Sequence, residues 1–243
     1  MTDARILEVA ELDLAVADEP WPFQRDEAER IAAHWRMRQA EQPRLFNGRV
    51  LLLGRHALER NDDGGQILRG AYFETDYAAF LAWRDFGFPG VPVCNAFSMA
   101  ALMSSDGAFL LGEMAAHTAN AGAIYFPAGT PDSKDVFAGR VDLTASATRE
   151  LHEETGVEPR EVAFEPTWIV VYAPPRIACM KIMRLAEPAE AAKARIEAFL
   201  AEDPGAELTA MHIVRDPGDI DEKRSPRFAV EFLRYAFAQR LVG

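Results

Sequence analysis

Arg149-Glu150-Leu151-His152-Glu153-Glu154-Thr155-Gly156-Val157 gathers three carboxylates within a helical turn and then stops at a glycine. Positions three and four apart share a helix face, so Glu150 looks toward both Glu153 and Glu154. Three anions this close repel one another, and they stand at the negative end of the helix dipole. The arrangement costs stability unless a cation compensates it. Mg²⁺ suits the task, because it takes hard oxygen ligands and bridges carboxylates to substrate phosphates. Arg149 adds a planar fork able to orient a carboxylate through paired hydrogen bonds. Asp142 stands where an N-cap belongs, and Leu143, Ala147 and Leu151 follow at spacings of four as one apolar stripe. Gly156 fits the left-handed residue that ends a helix.

Upstream, Ala123 to Phe126 reads as a buried strand and Pro127-Ala128-Gly129 as its terminating turn. A strand, a loop and a carboxylate-bearing helix thus follow in order. The chain here resembles the Nudix hydrolases, whose signature is G-x5-E-x7-R-E-U-x-E-E-x-G-U with U aliphatic. Its second half is matched at every specified position by Arg149, Glu150, Leu151, Glu153, Glu154, Gly156 and Val157. The first half departs from it. Gly129, as the opening glycine, stands twenty positions before Arg149 where the signature has fourteen, a loop six residues longer. Counted forward from Gly129 the first glutamate falls at Asp135, and counted back from Arg149 it falls at Val141. Asp135, Asp142 or no residue fills that role.

The resemblance implies an α+β fold, a Nudix-type α/β/α sandwich with a mixed sheet, carrying an N-terminal α/β extension. It also implies hydrolysis of the diphosphate bond in a nucleoside diphosphate linked to another moiety. In the family, glutamates matching Glu150, Glu153 and Glu154 hold Mg²⁺ or Mn²⁺, with a carbonyl at Ala128 or Gly129, and the arginine matching Arg149 orients them. Glu153 or Glu154 would take the proton of the attacking water. The turn Arg44-Leu45-Phe46-Asn47-Gly48 and the helix after it are similar to a branch acting on UDP-sugars. The longer loop is similar to a branch cleaving acyl-CoA, so a nucleotide sugar ranks first and a CoA derivative second. The alternative is a Nudix-fold sensor that holds a nucleotide without turnover.

A chain of 243 residues, 49% hydrophobic, buries a substantial core. Its net charge of −12 argues against general nucleic-acid binding, which needs Lys and Arg to displace counterions. A small nucleotide-derived substrate remains compatible when a metal supplies the positive charge. Cys94 and Cys179 are far apart and form no C-x-x-C, so core thiols in a reducing compartment are expected. Met1 to Ala10 lacks a signal-peptide pattern and no apolar run reaches membrane length, which places the protein in the cytoplasm and off the membrane. The oligomeric state, including a homodimer, stays open.

Two regions are expected: an extension over 1–90 (helix, β-hairpin, helix) and the catalytic module over 91–243. In the first, Asp26 to Ala40 reads as a helix, Val50 to Leu53 and Ile67 to Thr75 as a hairpin, and a helix follows Thr75 or Asp76. In the second, strands are expected at Ala96 to Met103, Ala108 to Met114, Thr167 to Ala173, Ile177 to Leu185 and Leu208 to Val214. Helices are expected at Ala189 to Glu202 and Pro226 to Arg240, the latter with Phe228, Phe232, Tyr235 and Phe237 as core. His117 is a candidate phosphate contact and His152 an exposed spacer. Asp216, Asp219 and Asp221 read as turn and cap residues before a late carboxylate assisting the metals, and Lys134 and Arg140 as loop cations that either meet phosphates or are simply solvated.

Overall fold

Asn95 to Met103 is apolar at nearly every position, the pattern of a strand covered on both faces. In the computed structural model, which describes residues 4–90 and 92–241, this strand lies inside a large mixed sheet. The chain begins with β1 (Arg5–Val9) and β2 (Glu11–Val16), then α1 (Pro22–Asp26) and α2 (Ala28–Glu41). The hairpin β3 (Arg49–Arg60) and β4 (Gln66–Asp76) follows, then α3 (Tyr77–Asp85). Next come β5 (Asn95–Met103), β6 (Phe109–Met114), and the short β7 (Ile124–Tyr125), β8 (Ala128–Gly129), β9 (Val136–Phe137) and β10 (Arg140–Val141). The acidic helix is α4 (Leu143–Thr155), succeeded by β11 (Val162–Phe164), β12 (Trp168–Ala173) and β13 (Arg176–Leu185). The chain closes with α5 (Ala189–Glu202), β14 (Leu208–Val214) and α6 (Arg227–Ala238).

The nine-stranded sheet runs β1-β12-β13-β5-β6-β14, with β11 on β13, β7 on β6 and β8 on β5. The five-stranded sheet runs β3-β4-β2-β10-β9. β13 pairs with β5 in parallel and β2 with β4 in parallel, so both sheets are mixed. Alternation along a strand sends its side chains to two cores. Ile169, Val171, Ala178 and Met180 join Leu151 and Phe232 in the first core. Trp168, Val170, Ile177 and Cys179 meet Leu14, Leu51, Leu53 and Leu68 of the smaller sheet. The far face of that sheet buries Leu52 and Phe73 with Trp21, Phe80 and Trp83 in a third core beneath α2 and α3. The fold is thus α+β, as expected.

Both sheets draw strands from either side of residue 90: β1 pairs with β12, and β2 with β10. Val91, where the catalytic module was expected to begin, lies outside the described residues. The expected helices and strands occur, with β3 running to Arg60 instead of ending at Leu53, while α1, β1, β2, β11 and the β9–β10 hairpin were not foreseen, and Ala128 and Gly129, expected as a turn, pair with β5 as β8. The signal for β2 is nonetheless there, in the alternation of Leu12, Leu14 and Val16 with polar neighbours. In α6, Phe232 packs edge-on to Phe109 and Phe126, whereas Phe228 turns to Phe97 and Tyr125 and lines a cavity, so it is not a plain core residue. Among the described residues no helix is long and apolar enough to cross a membrane.

Candidate functional site

The helix α4 is held at both ends by the residues the sequence singles out. The Asp142 carboxylate accepts from the amides of Thr144 and Ala145 at 2.9 and 3.0 Å, a side-chain N-cap. Gly156 ends the helix at φ 71°, and a Cβ added there would lie 2.7 Å from the Phe199 ring, so glycine is required by conformation and by space. Leu143, Ala147 and Leu151 are buried, which leaves the charged residues on the remaining faces.

The departure in the first half of the signature has a structural resolution. Asp135 is buried, 3% exposed, and takes a bidentate grip from Arg149, whose Nη2 donates to its two oxygens at 3.0 and 3.1 Å. The amide of Asp142 donates to the Asp135 carbonyl at 2.8 Å, so these two residues close a loop. Residues 136–141 between them form the β9–β10 hairpin, with Ala138 and Gly139 at positive φ. The extra six residues are therefore a hairpin that adds to the smaller sheet where Arg140 pairs with Ala15. Of the alternatives open from sequence, Asp135 partners the arginine and Asp142 caps the helix.

Arg149 gathers three carboxylates. Besides Asp135 it lies 2.7 Å from Glu150 and 3.2 Å from Glu153. The three glutamates then differ in environment. Glu154 is 6% exposed, its Oε1 accepts from the Ala128 amide at 3.4 Å, and its Oε2 is buried without a partner. Burial, with Glu150 and Glu207 adding repulsion, raises its pKa well above the ordinary carboxylate range. Glu150 is pushed up to about 7 by burial, which outweighs the attraction of Arg149. A Cβ at Gly129 would overlap the Glu150 carboxylate, so the glycine makes room for that side chain. The Glu153 side chain is 52% exposed and turned to Arg149.

Among the described residues, no three His, Cys, Asp or Glu side chains converge as a group able to hold a metal ion. The half-buried Glu150 and the buried Glu154 instead form a pair, four residues apart on one helix face, against the β8 backbone at Ala128 and Gly129. Oε2 of Glu154 has no partner, and the raised pKa values show that the charged form of both carboxylates lacks a counter-charge, which a divalent cation would supply. The residues present therefore fit such an ion, with Glu150, Glu154 and a carbonyl of Ala128 or Gly129 as donors.

Ala128, Gly129 and Thr130 also form part of the wall of an open cavity of about 1070 Å³. Its charge runs against that of the chain. Arg44, Arg84, Arg176, Lys223, Arg224 and His117 line it, and among the described residues Glu207 is its one carboxylate. Tyr77, Phe80, Phe97, Tyr125 and Phe228 supply aromatic surface. Arg224 is already held by Asp221 and Glu113. Of the residues expected to contact phosphates, His117 reaches this cavity; Lys134 and Arg140 do not line it, and Arg140 pairs with Asp13. His152 is exposed, while Asp216 and Asp219 cap a short 3-10 turn as expected. Arg84 and Arg176 escaped the sequence reading because each is an isolated cation in an apolar element with no motif around it.

No family model and no curated protein matches the sequence. Among solved structures, the chain is similar to a Nudix hydrolase from M. smegmatis, RenU, at 17% identity over 59% of this chain and 84% of that one, TM-score 0.41. It is similar to DR0079 from Deinococcus radiodurans at 14% identity over 78% and 99% of the two chains, TM-score 0.44. It is also similar to the E. coli ORF135 protein at 16% identity over 60% and 92%, TM-score 0.37. The half-signature along α4 faces the glycine-bearing β8, with the mixed sheet behind them, in an α+β fold.

Proposed function

We propose that the protein is a Mg²⁺- or Mn²⁺-dependent hydrolase of the diphosphate bond in a nucleoside diphosphate linked to another moiety. The observation that carries this reading is the junction at Ala128 and Gly129. That backbone meets the half-buried Glu150 and the buried Glu154, and it also lines a cation-rich, aromatic cavity. Aromatic faces take a base, and guanidinium groups take phosphate oxygens. When bound, the divalent cation neutralises phosphate oxygens and lowers the pKa of water. Glu150 and Glu154 hold that charge in place. Arg149, itself fixed by Asp135, sets the orientation of Glu150 and Glu153. Glu153 or Glu154 would accept a proton from the attacking water, and the exposure of Glu153 supports the first choice.

A nucleotide sugar is the favoured substrate, and a CoA derivative is the second. Arg44 and Leu45 of the turn similar to the UDP-sugar branch line the cavity, which supports that order. The alternative, a sensor that binds a nucleotide without cleaving it, is favoured by one observation, the lack of a converged three-carboxylate group among the described residues. The two buried free thiols suit a reducing cytoplasm.

The test is product formation from ADP-ribose, UDP-glucose, CoA, NADH and dinucleoside polyphosphates with Mg²⁺ or Mn²⁺, against an EDTA control. Cleavage of one class, abolished by EDTA and by Glu154→Gln, is the expected outcome. Saturable binding of a panel compound with no turnover in either metal would select the sensor.

A further inference from the structure

Three of the cavity's cations have no acidic partner among the described residues: Arg44, Lys223 and Arg176. Arg176 is the one with a second, independent oddity. It opens β13 directly beside Asn95 of β5, its parallel register partner. The Asn95 Oδ1 is buried and accepts no hydrogen bond. The guanidinium of Arg176 rests 5.1 Å over the Phe88 ring and meets no carboxylate. Arg84 of α3 lines the same cavity, with only the adjacent Asp85 at 3.1 Å as counter-charge. Arg176 is exposed at the cavity surface, yet the surrounding walls and the repulsion of Arg84 still push its pKa below the ordinary value. Two guanidinium groups lining one cavity, with a buried acceptor that lacks a donor beside one of them, are complementary to one kind of ligand.

We propose that Arg84, Arg176 and Asn95 form a subsite for a second anionic group of the substrate, a carboxylate or phosphate monoester borne on a hydroxylated moiety. The guanidinium groups take the anion, and the Asn95 Oδ1 accepts from a neighbouring hydroxyl. The position follows from the β5 register. Asn95 precedes Ser98, the partner of Gly129, by three residues, so the subsite lies about 10 Å along the strand from the Gly129 backbone. That is one sugar or nucleoside unit away from a diphosphate seated at Gly129. This placement rests on the hydrolase reading, but the recognition of the anion does not.

Equilibrium binding separates the two. Calorimetry in EDTA, where no turnover occurs, compares UDP-glucuronate with UDP-glucose for the carboxylate source and NADPH with NADH for the phosphate source. The wild-type protein is expected to bind the more anionic member of one pair about tenfold more tightly, the effect of one charge-assisted hydrogen bond. Arg176→Gln and Arg84→Gln are each expected to remove that preference, so that the two members of the pair bind equally. Arg55→Gln, which deletes the same charge from an exposed pair with Glu19 outside the cavity, is expected to keep it. Equal binding of both members of both pairs, absence of binding by all four compounds, or a preference that survives Arg176→Gln overturns the subsite. Preferential binding without cleavage in Mg²⁺ or Mn²⁺ would sink the hydrolase reading and leave the subsite standing.

Discussion

Replacing Asp135 by alanine removes the bidentate partner of Arg149 and tests the assignment that the sequence left open. Three contacts to the guanidinium are lost, at 3.0, 3.1 and 3.3 Å, together with the bond from the Asp132 amide at 3.0 Å. Breaking a buried ion pair from one side costs about 3–5 kcal/mol, because the remaining charge stays desolvated. Here the cost is smaller, since Arg149 is 23% exposed and keeps Glu150 at 2.7 Å and Glu153 at 3.2 Å. We expect about 2–3 kcal/mol, which for a chain of this length lowers Tm by about 5–10 °C. Urea unfolding followed by tryptophan fluorescence measures it. Asp142→Ala serves as the comparison, and its lost N-cap should cost about 1 kcal/mol. Asp135→Glu, which lengthens the side chain but keeps the carboxylate, should retain most of the stability. If Asp135→Ala unfolds at the wild-type urea concentration, or if Asp142→Ala costs more, the assignment of Asp135 as the partner of Arg149 is wrong.

Stability without metal should fall as pH rises from about 4.5 to about 7, because Glu150 has a folded pKa raised by burial and its protonated form fits the fold. The effect of Glu150 is about 3 kcal/mol as an upper bound, and a thermal melt series in EDTA should be less steep over this range in Glu150→Gln, the slope that remains coming from Glu154. Gly156→Ala forces a side chain into a left-handed backbone at φ 71° and onto Phe199, so a loss of about 2–4 kcal/mol is expected by urea unfolding. A loss below 1 kcal/mol, on the scale of ordinary surface changes, would contradict the close packing. Deleting residues 136–141 joins Asp135 to Asp142, which are already hydrogen-bonded, so circular dichroism should show a folded protein with one cooperative melt. A loss of cooperative unfolding would show that the hairpin is integral to the smaller sheet rather than an addition to its edge.

Much of α4 was legible because its determinants are local. The cap at Asp142, the stripe of Leu143, Ala147 and Leu151, and the stop at Gly156 all act within a few residues, so spacing alone encodes them. The same holds for α5, expected and found at Ala189–Glu202, whereas β3 runs seven residues beyond the expected Leu53 because its pairing with β4 carries it on. What tertiary structure decided is burial and long-range company. Glu150, Glu153 and Glu154 are chemically identical in the sequence, yet packing against β8 desolvates the first and last and leaves the middle one wet. Counting could not choose between Asp135 and Asp142, because the choice depends on a hairpin folding out from between them and docking on a strand more than a hundred residues earlier. The cavity is the extreme case. Arg44, Arg84, Arg176 and Lys223 meet there from four distant parts of the chain. The hydrophobic pairing of the two sheets brings them together, and no pattern in their own neighbourhoods records that meeting.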